Sequence, residues 1–335
     1  MLKLPISRII DFSKLTKNNI VQIEIVNTTH RFSPDSDESG VNIKQQPIFG
    51  SKVYIDDILI ESKSFGLPTL LFPQGSAPFI NFVNSTKFTT NIHYHGLINT
   101  GLTDGASAFG VFGPSTSLGS SVKFQLPTIL NNSALCWYHS HNKFMDAELV
   151  YAGIFGSIII TDSISKQFTD SYIYGDNHIV LNCLDMDLDS NGCQIFGNLS
   201  SVPNRSCFTV INGISTIQWY TEPSPSVKYS NILRHDTKQN IVKIDYLNAT
   251  ANFRVFYLGV CDDNKNILSF HVIQTDQGFC APVKTTMQSV PVGGRISILL
   301  DLTNITRAYL FAYDYDLTAI YNMPTYTTGT FPNFE

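Results

Sequence analysis

Two short histidine strings constrain the fold of this chain more than any other feature. They are HYHG at residues 93–96 and WYHSH at residues 137–141, and together they hold four of the eight histidines. On a β-strand alternate side chains point to the same face, so each string presents its two imidazoles to one side. Two such strings on one sheet make a four-imidazole platform, a ligand set that suits copper or zinc.

The same alternation assigns the other residues of the strings to faces. Trp137 shares the face of His139 and His141, whereas Tyr94 and Tyr138 lie on the opposite faces and are predicted to pack inside the fold. The alternative is that all four histidines are ordinary surface or core residues. That alternative explains a single H-x-H string well and two such strings poorly.

The rest of the chain indicates an all-β protein. Short runs rich in Val, Ile, Tyr and Phe alternate with Asn, Gly, Pro and Ser; examples are Val21 to Ile25, Lys52 to Ile60 and Arg295 to Asp301. The length of 335 residues accommodates two domains of ordinary size. We therefore predict two β-sandwiches in tandem, at residues 1–165 and 166–320, followed by a tail or linker at residues 321–335.

The charge of the chain and its first residues bear on its partners and its compartment. The net charge is −5 and no run of Lys or Arg occurs, so we expect neither nucleic acid nor a membrane as a partner. The first fifteen residues are broken by Pro, Arg, Asp and Lys, and we expect no signal peptide there. The sequence leaves the compartment open, with an extracellular, spore-surface or virion-surface location as the alternatives.

In its two histidine strings the chain resembles the multicopper oxidases, which include the laccases and the spore-coat laccases. The first domain of that family carries an H-x-H-G string and a W-Y-H-[SD]-H string, and both are matched here. Fainter similarity continues through residues 270–278 and 293–301, which are similar to segments of the family's second domain. The resemblance implies two cupredoxin-like Greek-key β-sandwich domains.

The resemblance also implies a copper half-site. His93 would bind the type 2 copper, and His95, His139 and His141 would bind the type 3 pair. Asp104 would be the catalytic acidic residue that hydrogen-bonds beside the type 2 copper and helps to deliver protons during O₂ reduction. Asp104 and the following glycine are also the sequence of an ordinary turn, and this alternative stays open.

The family's third-domain strings, H-P-x-H-x-H and H-C-H-x-x-x-H, are absent from this sequence. They supply the type 1 copper and the other half of the copper cluster, so we expect no type 1 copper in this chain. Cys136 lies three residues from His139 on the same predicted strand, which places it on the core face. The three histidines after residue 141, His178, His235 and His271, are isolated and are interpreted as structural.

Three interpretations of this partial match stay open. The first is the front part of a laccase-type oxidase, which oxidises phenols or metal ions with O₂ once a third domain or a partner chain completes the cluster. Its partners would be a small-molecule reductant and O₂. The second is a catalytically inactive coat or fibre protein derived from a multicopper oxidase. The third is a copper-binding protein that uses its half-site alone or across the interface of a homo-oligomer.

Overall fold

The computed structural model describes residues 2–30, 32, 48–106, 115–142, 145–165, 171–188, 194–195, 206–220, 226–230, 233–250 and 254–316. The predicted tail at 321–335 lies outside these ranges. The limits of the two domains stay a prediction, and residues 166–170, at the predicted start of the second domain, also lie outside the described part. Strands dominate throughout, as the sequence predicts.

The strands of the first half number thirteen in chain order. They are β1 Leu2–Lys3, β2 Ile9–Asp11, β3 Val21–Thr28, β4 Ile48–Ile55, β5 Ile58–Lys63, β6 Thr69–Pro73, β7 Phe79–Ser85, β8 Thr90–Asn91, β9 His93–His95, β10 Ser115–Thr116, β11 Ser120–Gln125, β12 Ala134–His139 and β13 Phe155–Thr161. One short helix, α1 at Asp146–Tyr151, precedes β13. A single 3₁₀ turn at Phe12–Lys14 follows β2.

Ten of these strands form two five-stranded sheets with the orders β11-β7-β3-β4-β5 and β2-β6-β13-β12-β9. The residues that face inward from both sheets form one hydrophobic cluster, which includes Ile23, Phe72, Tyr94 and Tyr138. The outward residues of β3 alternate with the inward ones, as expected for a sheet with one face against the core. The first half is therefore a sandwich whose second sheet ends in the histidine-bearing strands β12 and β9.

The strands of the second half are β14 His178–Leu188, β15 Gln194–Ile195, β16 Ser206–Ile211, β17 Ile214–Tyr220, β18 Ser226–Ser230, β19 Leu233–Arg234, β20 Ile241–Asn248, β21 Arg254–Asp262, β22 Ile267–Leu268, β23 Phe270–Thr275, β24 Gly278–Thr285, β25 Met287–Val290, β26 Arg295–Asp301 and β27 Ala308–Asp316. A large sheet has the order β18-β17-β16-β14-β20-β26-β23-β24, with β15 beside β14. A smaller sheet joins β22, β21, β25 and β27. A second cluster, which includes Tyr246, Phe256 and Phe270, fills the space between them.

The two sandwiches pack against each other through apolar residues of both. One mixed cluster joins Trp137 and Phe155 of the first half to Leu184, Met186 and Leu247 of the second. These first-half residues lie on the outer face of the β12–β13 pair, which is the face that the histidine strings share. The second sandwich therefore covers part of the histidine face.

The N-terminal segment also connects the two halves. Strand β1 runs parallel to β19 of the second half, while β2 runs parallel to β6 of the first. Between them, the Pro5 carbonyl accepts a hydrogen bond from Asn212 Nδ2 at 2.9 Å, and the Ser7 carbonyl accepts one from Tyr174 Oη at 2.8 Å. Leu4 is buried in the core of the second sandwich. We call residues 2–11 the N-terminal strap.

One strand prediction is wrong in its extent. The sequence run from Lys52 to Ile60 reads as a single strand, but β4 ends at Ile55 and β5 begins at Ile58. Asp56 and Asp57 have φ angles of 50° and 63°, the left-handed conformation of a two-residue hairpin turn. The Asp56 carboxylate accepts hydrogen bonds from Ile20 N and Asn19 Nδ2, at 2.9 and 2.6 Å, which stabilises this turn. No helix in the described residues has the length and apolar character needed to cross a membrane.

Candidate metal centre

The register of two neighbouring strands brings the histidine strings together. Strands β9 and β12 are antiparallel, and their pairs include His93 with His139 and His95 with Trp137. Side chains of directly opposed residues lie on the same face within about 5.5 Å of each other. The tyrosines that precede His95 and His139, Tyr94 and Tyr138, point into the core as predicted, and the Tyr138 hydroxyl donates a hydrogen bond to the Pro68 carbonyl at 2.7 Å.

The four imidazole rings converge at one end of the sheet. The centroid of the His93 ring lies 5.6 Å from that of His95 and 5.2 Å from those of His139 and His141. Nitrogen atoms of His93, His95 and His139 all lie within 4.8 Å of one another. Because a metal–imidazole bond is about 2 Å long, these nitrogens are close enough to bind one ion or two neighbouring ions.

Hydrogen bonds fix the ring nitrogen that faces the cluster. His139 Nδ1 lies 2.7 Å from the Ser140 carbonyl, and His93 Nδ1 lies 2.8 Å from the Asp104 carbonyl. A carbonyl only accepts, so Nδ1 carries the proton in both rings and Nε2 keeps its lone pair. His139 Nε2 is buried and has no hydrogen-bond partner among the described residues. A buried acceptor without a partner requires an explanation, and a bound metal ion supplies one.

The protonation of the rings favours the same interpretation. Burial, the nearby Arg295 guanidinium and the neighbouring imidazoles lower the pKa of His95 to about 3. Burial, with His93 as the next cause, holds the pKa of His139 well below 6.5, and burial also lowers the pKa of His93. These rings are therefore neutral at pH 7. Neutral imidazoles are the form that binds metal ions, so the donor set fits copper.

Asp104, for which the resemblance implies a catalytic role, lies beside His93. One carboxylate oxygen, Oδ2, is 3.2 Å from His93 Nδ1, and the side chain is partly exposed. The following residue, Gly105, has a φ angle of 77°, and a Cβ there would lie 1.8 Å from the Ile92 carbonyl oxygen. The Asp104-Gly105 turn is therefore pressed against the strand that leads into β9, rather than standing free at the surface.

Two aromatic and main-chain contacts surround the imidazole cluster. The Trp137 ring stacks on the His139 ring with centroids 3.9 Å apart and an interplanar angle of 23°. The turn between β25 and β26, in the second sandwich, brings Gly293 against His95 and Trp137. Stacking follows from the shared face of Trp137 and His139, but the contact with Gly293 depends on how two distant segments pack.

The remaining cysteine and histidine predictions concern residues away from this cluster. Cys136 is buried on the core face of β12, and burial raises the pKa of its thiol to about 11. His178 belongs to a buried ionic group with Asp245 and Lys243 in the second sandwich. His271 is exposed on β23. None of these three side chains joins the imidazole cluster.

Comparisons with known proteins agree with the resemblance. Residues 52–165 match the family model described as multicopper oxidase. A cell division protein FtsP of Shigella dysenteriae is 29% identical over 177 residues, 52% of this chain and 33% of that protein. The FtsP of Salmonella typhimurium is 28% identical over 204 residues, 58% of this chain and 39% of that protein. The match thus spans between a third and two fifths of the length of these relatives.

Solved structures share the fold. The McoA multicopper oxidase of Aquifex aeolicus superimposes with a TM-score of 0.70 at 21% identity, over 95% of this chain and 61% of that one. A laccase of Pediococcus acidilactici gives a TM-score of 0.68 at 16% identity, over 92% of this chain and 59% of that one. The predicted all-β fold of two cupredoxin-like sandwiches is confirmed.

Proposed function

We propose, on the premise that residues 52–165 form a multicopper oxidase domain, that this chain binds copper through the four histidines of its two strings. The observation that carries the proposal is the buried Nε2 atom of His139. It points to a cluster of neutral imidazoles and has no hydrogen-bond partner in the described part of the chain. His93 would hold the type 2 ion, and the other three histidines would hold the type 3 pair.

Bound copper would supply one-electron chemistry that couples the oxidation of a small reductant, such as a phenol or a metal ion, to the reduction of O₂. The chain's own residues orient the rings. The Ser140 and Asp104 carbonyls accept hydrogen bonds from Nδ1 of His139 and His93, which leaves the Nε2 lone pairs of these two rings available to bind copper. The partly exposed Asp104 carboxylate, 3.2 Å from His93 Nδ1, is the group that would pass protons from solvent to the centre.

Turnover of the oxidase type needs more than this chain provides. No cysteine of the sequence is next to a histidine, so the H-C-H string that binds a type 1 copper is missing. A further domain or a partner chain, including a second copy of this chain, would have to supply the other ligands. We therefore expect no oxidation of a phenolic substrate by this polypeptide alone with added copper, and no intense absorption near 600 nm. Clear turnover with such a band would contradict this expectation.

Copper binding itself is tested by metal analysis of the purified chain after copper loading and desalting. We expect retained copper in the wild type, a loss of most of it in His139→Asn, and wild-type content in His271→Asn. The last variant is the matched control, because His271 is exposed and lies outside the cluster. A wild type that retains no copper, or equal loss in both variants, would refute the proposal.

The second candidate is a catalytically inactive derivative with a structural role. It is supported by the similarity to relatives named cell division protein FtsP, a name that describes no oxidase. The metal analysis separates the candidates, because a structural role requires no retained copper. Size measurement by light scattering, with and without copper, then tests whether copies of the chain associate to complete the site.

A further inference from the structure

Arg295 is a buried cation at the boundary between the two sandwiches. It is the first residue of β26, and only 3% of its side chain is exposed. The nearest carboxylate oxygen in the described residues belongs to Asp276, 3.3 Å from Nη1, and that side chain is 45% exposed. Burying a charge is costly unless hydrogen bonds compensate it. The guanidinium therefore needs hydrogen-bond acceptors close to it.

Its guanidinium group joins three main-chain segments. Nη1 donates to the Gly293 carbonyl at 2.9 Å, and Nη2 donates to the Asp276 carbonyl at 2.8 Å. Nε donates to the Leu135 carbonyl at 3.1 Å. The first two segments are turns of the second sandwich, whereas Leu135 belongs to β12, the strand that carries His139. One side chain thus ties the second sandwich to a histidine-bearing strand.

The same group fills the space behind His95. A Cβ atom added to Gly96 would lie 2.8 Å from Arg295 Nη2 and 3.0 Å from Cys136 Sγ. No side chain fits there, so the glycine of the first histidine string allows the guanidinium to approach. On the other side, Gly293 lies against the rings of His95 and Trp137, and its carbonyl is held by Arg295. His95 is therefore enclosed between two features that Arg295 fixes.

We propose that Arg295 is a positioning residue of the second sandwich that fixes the His95–Gly96 corner and so sets the place of the His95 ring in the copper half-site. Lysine cannot replace it, because one ammonium group cannot reach three carbonyls in different directions as the planar fork does. The part of this inference that concerns copper affinity rests on the function proposed above. The part that concerns the His95 ring does not.

The test compares Arg295→Lys and Arg295→Met with Arg307→Met, which removes an arginine that is largely exposed. In metal-free protein, the imidazole resonances of His95 are observed by NMR with labelled histidine and assigned with His95→Gln. We expect them to split or broaden in both Arg295 variants while those of His271 stay unchanged. Arg307→Met should leave both sets as in the wild type.

Copper titration provides the second measurement. We expect the dissociation constant to rise about tenfold in the Arg295 variants, the lower end of the effect of residues that orient metal ligands. Wild-type His95 resonances in folded Arg295→Lys would overturn the inference, as would the same change in Arg307→Met. If Arg295→Met does not fold, Arg295→Lys decides. If the wild type binds no copper, the proposed function fails, and the His95 resonances still decide the role of Arg295.

Discussion

Removal of one charge from the buried ionic group of the second sandwich is the sharpest test of the packing described above. Lys243 Nζ lies 2.6 Å from Oδ1 and 2.7 Å from Oδ2 of Asp245, and both side chains are at most 5% exposed. His178 Nε2 lies 2.6 Å from Asp245 Oδ2. The substitution Asp245→Asn keeps the shape of the side chain and removes its charge, which leaves the lysine without its carboxylate.

The hydrogen bonds of this group depend on the carboxylate. An ionised carboxylate only accepts hydrogen bonds, so His178 Nε2 must carry a proton and donate a hydrogen bond to Asp245. Ser297 Oγ lies 2.5 Å from Asp245 Oδ1 and also 2.5 Å from Gln274 Oε1. A hydroxyl has one proton, which it donates to the carboxylate, so the Gln274 amide must turn to donate to Ser297. The amide group of an asparagine at 245 would place an N–H donor against His178, Lys243 or Ser297, which all donate to this position.

The expected cost is large. Removal of one partner of a buried ion pair costs about 3–5 kcal/mol, because the other charge stays buried without compensation. At ~2–4 °C per kcal/mol for a domain of this size, the unfolding midpoint should fall by about 6–20 °C. Replacement of both charges, in Lys243→Met with Asp245→Leu, should recover most of this loss, since a well-packed apolar pair avoids desolvation of the charges.

Thermal and urea unfolding followed by circular dichroism measures the effect. The control is Asp236→Asn, the same substitution in an ion pair with Arg234 at 2.7 Å, where the two side chains are 61% and 72% exposed. That change should alter the free energy of unfolding by less than about 1 kcal/mol. The reasoning is refuted if Asp245→Asn is as stable as Asp236→Asn.

Three further predictions concern pH, a turn and the N-terminal strap. Burial and then Lys243 lower the pKa of His178 below 6.5, so the folded state binds fewer protons than the unfolded state. The contribution of His178 to the stability of the metal-free protein should therefore be full above pH 6.5 and decrease below it. Urea unfolding midpoints measured between pH 8 and pH 5 test this direction. Gly105→Ala should lower the free energy of unfolding by more than about 3 kcal/mol, because the new Cβ would lie 1.8 Å from a main-chain oxygen. Gly119→Ala, where the Cβ would enter open space, should lower it by about 1 kcal/mol through backbone strain alone. Thermal unfolding of both variants measures the difference. Leu4→Ala should cost about 2–3 kcal/mol and speed amide exchange in the strap, while Leu102→Ala, at a position 77% exposed, should change neither.

The sequence predicts the imidazole cluster because the relevant information is local. Period-two alternation places Tyr94 and Tyr138 in the core, and this leaves the histidines of both strings on the opposite face. The pairing of His93 with His139 needs in addition that the two strands be neighbours in this register, which the core positions of the two tyrosines favour. The extent of β26, Arg295–Asp301, is likewise as predicted, since it is rich in Ile and Leu and is preceded by two glycines.

What the sequence does not reveal depends on contacts between distant segments. The split at Asp56 arises from a left-handed turn that two aspartates adopt without the glycine that normally indicates one. Arg295 reaches Leu135 across the boundary between the sandwiches, and no local pattern records that approach. The burial of Lys243 and Asp245 is not recorded by a local pattern either. Charged residues in a strand are usually exposed, whereas both of these side chains are buried.

The N-terminal strap has a consequence for the order of synthesis. Leu2 pairs with Leu233, so this ladder cannot form until the chain has been synthesised through residue 233. Strand β2 finds its partner β6 much earlier. The first sandwich can therefore form while β1 is still unpaired, and the docking of β1 on β19 then joins it to the second sandwich. Long-range parallel pairing of this kind is slow, so we expect the β1–β19 ladder to form late in folding.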